Sequence, residues 1–447
     1  MIPRVRRHLS GSGLGAIFLK ALIGSAGLRL TGMAFGFLAG VQLARGLGAD
    51  GYGIYGLAMS IIALLTVPTE FGIPQLLTRE VAASQAENNV PKLRGVLRWA
   101  TRASILLSVA IAALMTAWLA LSGAGPSSAL GMTVLVGLLM VPVVAQANIR
   151  SAALRGLQHI VKGQLPDALI RPAIFSLLLF LAPLLIAPLE PALAMSLGVA
   201  SAATSLLIAT WLLRRELPPL PVPTDTIESS RSWWRSAFPM ALTEGMRVLQ
   251  SHLVILILGL MSTAAAVGIF RVASSVALLM AVPLTIFSLV SAPIISRLYA
   301  GSDRSQLQPL LGWVAIGMTG SVAVIATPFL FAGDLIIGSI FGDEYSEAGG
   351  ALSILSLGVI ANGCFGANSI LLNMTGHQNR VTRASAFSLL ILCMTLPALI
   401  HLAGINGAAV ASSFALTTWN LLMWRDALKF LSLDTSVGAF LRPRLNR

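Results

Sequence analysis

Between residues 14 and 424 the sequence is a succession of apolar runs, separated by short breaks rich in glycine, proline and charge. Each run is about 20 residues long, enough for a helix rising roughly 1.5 Å per residue to cross about 30 Å of hydrocarbon. With 56% hydrophobic and only 11% charged residues in a chain of 447, and a mean hydropathy of +0.84, a water-soluble fold has too little polar surface to cover its core. The sequence predicts an all-α integral membrane protein, with no length left over for a separate soluble domain.

Cutting at the breaks gives twelve spans, at about 14–43, 52–77, 97–121, 129–149, 167–187, 192–213, 236–259, 267–296, 309–332, 348–373, 384–402 and 405–424. Basic residues test this division independently, because loops on the cytoplasmic face concentrate Lys and Arg. If the N-terminus is cytoplasmic, every Lys and Arg outside the spans falls on the cytoplasmic side except Arg45. One span more or fewer would scramble that segregation, so both termini are expected in the cytoplasm. The net charge of +13 then reflects topology, and a nucleic-acid partner is not expected. The basic start "MIPRVRRHLSGSG" resembles a signal peptide, but the apolar stretch after it is long and carries Lys20 and Arg29, which favours an uncleaved first helix. Cys364 and Cys393 both lie in apolar runs, so neither a disulfide framework nor a metal site is expected. Trp99, Trp211, Trp233, Trp234, Trp313, Trp419 and Trp424 sit near cytoplasmic span ends and Trp118 near an outer end, as interface anchors would.

One segment occurs twice. "YGIYGLAMSIIALLTVP" (52–68) and "VGIFRVASSVALLMAVP" (267–283) match at seven of seventeen positions, including Gly53/Gly268, Ser60/Ser275 and Pro68/Pro283. "ANIRSAALRGLQHIV" (147–161) echoes "ANSILLNMTGHQNRV" (367–381), with Gly156 aligned on Gly376. Both matches pair span n with span n+6, which predicts two six-helix bundles inserted the same way up. We therefore expect an N-terminal lobe at 1–213, a proline-rich cytoplasmic linker at 214–235 and a C-terminal lobe at 236–447. Parallel repeats of this kind occur in transporters, with the substrate held near the midplane between the halves.

No P-loop, HExxH, CxxC or metal-spaced His/Cys cluster is present, so neither an enzyme nor a bound cofactor is expected. Charges inside spans are costly and normally face a polar cavity or a partner. Span one carries Lys20, which faces a cavity or snorkels to the cytoplasmic interface, and Arg29 near mid-span. Span seven carries Glu244 and Arg247, three residues apart on one face, which form either part of a site or a self-neutralised packing pair. His252 in the same span reads as a buried, satisfied polar residue. Glu70 in span two follows Pro68, and Arg271 near the outer end of span eight is either interfacial or functional. Lys20, Arg29, Arg247 and Arg271 outnumber Glu70 and Glu244, so a cavity lined by these groups would suit a phosphate or pyrophosphate gripped by guanidinium forks. Gly32, Gly36 and Gly40, spaced by four, mark a face where a neighbouring helix comes close.

"LARGLGADGYGIYGLAMSIIALLTVPTEFGIPQLLTRE" (43–80) and "LRGLQH" (154–159) resemble polysaccharide-transporter flippases of the Wzx type. That family belongs to the superfamily of MATE multidrug exporters and lipid II flippases. The resemblance implies a MATE-like fold in the bacterial cytoplasmic membrane. It also implies translocation of an undecaprenyl-pyrophosphate-linked oligosaccharide from the inner to the outer leaflet by alternating access, with a polysaccharide polymerase complex as a partner. By this resemblance Arg29, Arg247, Lys20 and Arg271 would bind the head group, and Glu70 or Glu244 would couple an ion or pair with these cations. The competing expectations are an ion-coupled multidrug exporter of the same fold, for which the cation excess is unfavourable, and a membrane scaffold without transport.

Overall fold

The computed structural model describes residues 14–122, 127–185, 188–217, 230–301 and 304–441. Among them every regular element is helical. In chain order these are α1 (Leu14–Glu70), α2 (Ile73–Ala86), α3 (Val90–Leu121), α4 (Ala129–Leu138), α5 (Met140–Gly156) and α6 (Ile160–Leu165). A π turn (Pro166–Ile170) leads to α7 (Arg171–Leu185), α8 (Pro191–Glu216), α9 (Ser230–Met261), α10 (Ala264–Met280), α11 (Val282–Ala300) and α12 (Arg304–Phe341). The last are α13 (Ala348–Cys364), α14 (Asn368–Met374), α15 (Gln378–Asp426) and the short α16 (Gly438–Leu441). Several begin where a side chain takes up an orphan N–H: Asn89 accepts from Lys92, Ser128 from Gly131 and Thr263 from Ala266.

Nine described helices are long and apolar enough to cross a membrane, and α13 with α14, bent by 43°, makes a tenth. Two of the nine each hold two expected spans. α1 breaks at Gly48 (φ 67°), between spans one and two, and α15 breaks at Ala403 and Gly404, between spans eleven and twelve. The twelve-span reading is accounted for in this way, and the chain is a multi-pass membrane protein. Large apolar side chains such as Leu106, Leu207, Phe331 and Leu335 point outward, as a lipid-facing belt requires.

The chain falls into two compact units, one holding the chain up to Leu47 with Ile54–His252, the other Gly48–Gly53 with Leu253 onward. The expected linker is helical at both ends, with α8 running to Glu216 and α9 starting at Ser230, while residues 218–229 lie outside the described residues. The core of the first unit gathers Ile73, Leu77, Val81, Leu93, Val96, Ile149 and Leu154. Trp99 packs between Trp233 and Trp234 (ring centroids 5.2 and 5.3 Å), and Phe71 meets Trp234 at 5.3 Å. These tryptophans tie α9 to α3 and to the turn that follows α1, a packing role beyond the interface anchoring expected of them. In the second unit Leu307, Leu311, Leu371, Leu372, Met423 and Leu433 form the core. Trp424 donates to Asp434 (2.8 Å), and Gln308 pairs with the Asp434 backbone in both directions, pinning the segment after α15 across this core.

The duplicated glycines meet inside the second unit. A Cβ on Gly53 would lie 1.8 Å from the carbonyl oxygen of Ala264, and one on Gly268 would lie 2.2 Å from that of Ala49. Two backbones therefore touch with no room for a methyl group. Ser60 and Ser275, the repeated serines, each donate to the carbonyl four residues earlier, Gly56 (2.9 Å) and Arg271 (2.8 Å).

The second sequence match needs a shift of two residues. α5 ends in a Schellman turn with Gln158 at φ 65° and His159 N–H donating to the Leu154 carbonyl. The equivalent turn after α14 has Gly376 at φ 80° and His377 N–H donating to Leu372. Gln158 thus corresponds to Gly376, and His159 to His377. Aligning the glycines misleads because they serve different ends: Gly376 supplies a left-handed conformation in open space, whereas a Cβ on Gly156 would strike Val81 at 2.7 Å.

The glycine stripe of span one also divides. A Cβ on Gly32 would fall 1.6 Å from the Ala168 carbonyl oxygen, but nothing lies within 4 Å of one on Gly36. Gly36→Ala is expected to keep or raise the thermal midpoint of the purified protein, since alanine is about 1 kcal/mol better than glycine inside a helix. A fall of several degrees would show an unexpected neighbour at that face.

Candidate functional site

In the first unit, the end of α1 is shaped by its own sequence. Pro68 removes a helical N–H, Thr66 and Thr69 bond back to the carbonyls of Ile62 (2.8 Å) and Thr66 (2.7 Å), and the helix stops at Glu70. Phe71 (φ 42°) and Gly72 (φ 70°) turn the chain into α2. Gly72 lies directly on α9, where a Cβ would be 2.4 Å from the Ala237 carbonyl oxygen. This contact sets Glu70 and Gln75 beside the polar face of α9.

Glu70, half-buried, accepts a 2.5 Å hydrogen bond from Asn148 of α5. Glu244 and Arg247 form an ion pair along α9: Arg247 Nε donates to Glu244 Oε2 at 3.2 Å, and Nη2 donates to Oε1. Gln75 Nε2 reaches Glu244 Oε2 at 3.5 Å. Glu70 lies within electrostatic range of Glu244, Arg247 and Asp167. The sequence thus brings together three of its expected residues, Glu70, Glu244 and Arg247, and the guanidinium of Arg247 remains largely exposed. His252 Nδ1 lies 3.1 Å from Ser60 Oγ, as a satisfied polar residue should.

The π turn carries a second set of charges. An extra residue per turn shifts the register of the helix and is frequent at functional sites. Here it presents Asp167, which pairs with Arg171 at 3.3 Å. Gly32 brings α1 against this turn, and Arg29, one helical turn earlier, is exposed beside it. Arg155, in the last turn of α5, lies within electrostatic range of Asp167, Arg29 and Glu70 and so links the two sets of charges.

The other expected residues fall elsewhere. Lys20 lies in α1, with its side chain outside the described residues. Arg271 belongs to the second unit, its guanidinium 4.9 Å above the ring of Tyr52. Tyr52 meets the buried Tyr345 edge-on at 6.5 Å. Burial, with Glu344 and Tyr52 nearby, pushes the Tyr345 phenol above the usual tyrosine range, so it packs as a neutral group. The stretch "GDEYSEAGG" is therefore folded into the second unit around Tyr345.

Arg155, Asp167, Asn148 and Gln75 escaped the sequence reading. Arg155 falls between spans four and five, where a cation reads as part of a cytoplasmic loop, and Asp167 stands at the start of an apolar span; the signal the sequence offers is the Pro166-Asp167 pair interrupting a helix. Arg29, Arg155, Arg171 and Arg247 face Glu70, Asp167 and Glu244, so the cluster keeps a positive excess and suits an anion. Among the described residues no group of three or more His, Cys, Asp or Glu could hold a metal ion.

Residues 19–299, more than half of the chain, match the family described as polysaccharide biosynthesis protein. The chain belongs to that family. No curated protein matches it. Among solved structures, this polysaccharide biosynthesis family member is similar to an inward-facing multidrug resistance MATE transporter of the MOP superfamily (TM-score 0.73, 13% identity, 91% of this chain and 98% of the other). It is similar to the lipid II flippase MurJ in an inward closed conformation (0.72, 14%, 94% and 90%). A third similar structure is an outward-facing MATE transporter (0.65, 15%, 95% and 97%). At these identities the likeness establishes the MATE-like fold. Family and fold together make this polysaccharide biosynthesis protein a multi-pass membrane protein with a MATE-like fold.

Proposed function

We propose that the protein is a Wzx-type flippase, carrying an undecaprenyl-pyrophosphate-linked oligosaccharide from the cytoplasmic to the outer leaflet of the bacterial inner membrane, with both termini cytoplasmic. The observation that carries this reading is the arginine excess of the first unit, where Arg29 and Arg247 are exposed on membrane-spanning helices. Unlike an enzyme, such a protein makes and breaks no bond: it must bind the charged head, shield it from hydrocarbon and release it on the far side. Guanidinium forks satisfy the phosphate oxygens while the polyprenyl tail stays in lipid. Alternating exposure of the site then completes the transfer, and similar proteins are known in both inward-facing and outward-facing forms. Glu70 and Glu244 moderate the positive charge, so that head-group release is not prohibitively slow.

The test is a strain lacking the gene. Surface polysaccharide should be lost while lipid-linked precursor stays on the cytoplasmic side, and a plasmid copy should restore export. Unchanged surface glycan with raised sensitivity to cationic dyes would instead identify a multidrug exporter, with Glu70 and Glu244 as its exchange residues.

A further inference from the structure

Arg155 is held in place by its backbone neighbours. A Cβ on Gly163 of α6 would stand 2.9 Å from Arg155 Cγ and 2.8 Å from the Ser151 carbonyl oxygen, so the arginine stem lies in a notch that only glycine leaves open. Thus fixed, the guanidinium lies within electrostatic range of Arg29, Asp167 and Glu70. The Gly32 contact fixes Arg29 on the same side, because α1 and the π turn touch at the carbonyl of Ala168, the residue after Asp167. Both nearby carboxylates already have partners, Asp167 with Arg171 at 3.3 Å and Glu70 with Asn148 at 2.5 Å. Among the described residues neither Arg29 nor Arg155 has an ion pair of its own.

Arg29 and Arg155 both stand on membrane-spanning helices, where an uncompensated charge is costly, and that cost is offset when an anion enters. Each guanidinium can grip one phosphate through two parallel N–H donors, so two of them from separate helices match two linked phosphates. The half-exposed Asp167 carboxylate stands where it attracts Arg155 in the empty protein and repels a phosphate that arrives.

We infer that Arg155 and Arg29 form a diphosphate-binding clamp in the first unit, and that Asp167 is its built-in competitor, lowering affinity so that the head group can leave. The inference rests on the flippase reading for the source of the diphosphate, a lipid-linked one, and adds to it a binding residue and a release device.

The test uses the purified full-length protein in nanodiscs, with farnesyl diphosphate, farnesyl monophosphate and inorganic pyrophosphate as probes, alongside export in cells. Arg155→Ala should weaken farnesyl diphosphate binding by about tenfold or more, the loss expected for a charge-assisted contact. Arg155→Lys, which keeps the charge but not the fork, should fall in between. Asp167→Asn should do the reverse, tightening binding roughly threefold or more while slowing export, a gain that misfolding cannot imitate. The monophosphate should bind more weakly than the diphosphate and be nearly indifferent to Arg155.

If Arg155→Ala and Asp167→Asn both bind like wild type while Arg29→Ala or Arg247→Ala loses binding, the clamp is wrong and the flippase reading survives. If wild type ignores farnesyl diphosphate and binds cationic dyes, the flippase reading falls and the clamp with it. If inorganic pyrophosphate binds as tightly as farnesyl diphosphate and shows the same variant pattern, the clamp stands and the lipid-linked source is overturned.

Discussion

Gly53→Ala is expected to leave little folded protein in the membrane. Its methyl group would sit 1.8 Å from the carbonyl oxygen of Ala264 and 2.6 Å from the carbonyl carbon, both backbone atoms that cannot rotate aside. Overpacking of this kind costs about 1–3 kcal/mol where side chains can adjust, and more where only separation of two helices relieves it. Gly268→Ala meets the Ala49 carbonyl oxygen at 2.2 Å and should behave alike. Because one separation accommodates both methyl groups, the double variant should lose much less than the sum of the two. Thermal midpoints and monodisperse yield after extraction measure this, with Gly36→Ala as the benign control. A Gly53→Ala protein melting like wild type would refute the backbone contact.

Arg29→Ala should reduce export of surface glycan at least about tenfold, the loss of one charge-assisted phosphate contact, while membrane levels stay normal. The side chain is exposed and forms no ion pair among the described residues, so its removal leaves no orphaned partner. Arg247→Ala should abolish export as well, but for a compound reason: it removes a cation and also frees Glu244, which lies within electrostatic range of Glu70. Adding Glu244→Gln separates the two effects, since it relieves the stranded carboxylate without restoring the guanidinium. Export should stay low in that double variant even if the protein becomes more stable. Complementation of the deletion strain, with surface polysaccharide and membrane protein quantified together, decides the matter. Wild-type export from both single arginine variants would defeat the cationic-site reading.

Hydropathy made the spans legible because hydrocarbon imposes one requirement on every one of them, an apolar run of sufficient length. The same logic hid part of the site. α5 runs past the apolar stretch to Gly156, and α6 begins only four residues later, so a cation counted as loop still stands on a helix facing the cluster. Arg155 is therefore invisible to a reading that sorts charges by position along the chain. Asp167 was hidden by a π turn, which no 3.6-residue periodicity announces. The glycine stripe of span one gave the right face but not the point of contact, because spacing alone cannot distinguish Gly32, which touches a carbonyl, from Gly36, which faces open space. Of the expected cations, Arg29 and Arg247 joined the cluster and Arg271 went to Tyr52, a separation that depends on tertiary packing alone.

The meeting of Gly53 with Gly268 is reciprocal. Gly53 approaches the carbonyl four residues before Gly268, and Gly268 approaches the carbonyl four residues before Gly53. Each glycine is pressed on main-chain atoms, so no side-chain change on one side of the contact makes room for a methyl group on the other. The junction therefore leaves the residues around it free to vary while admitting a single amino acid at these two positions.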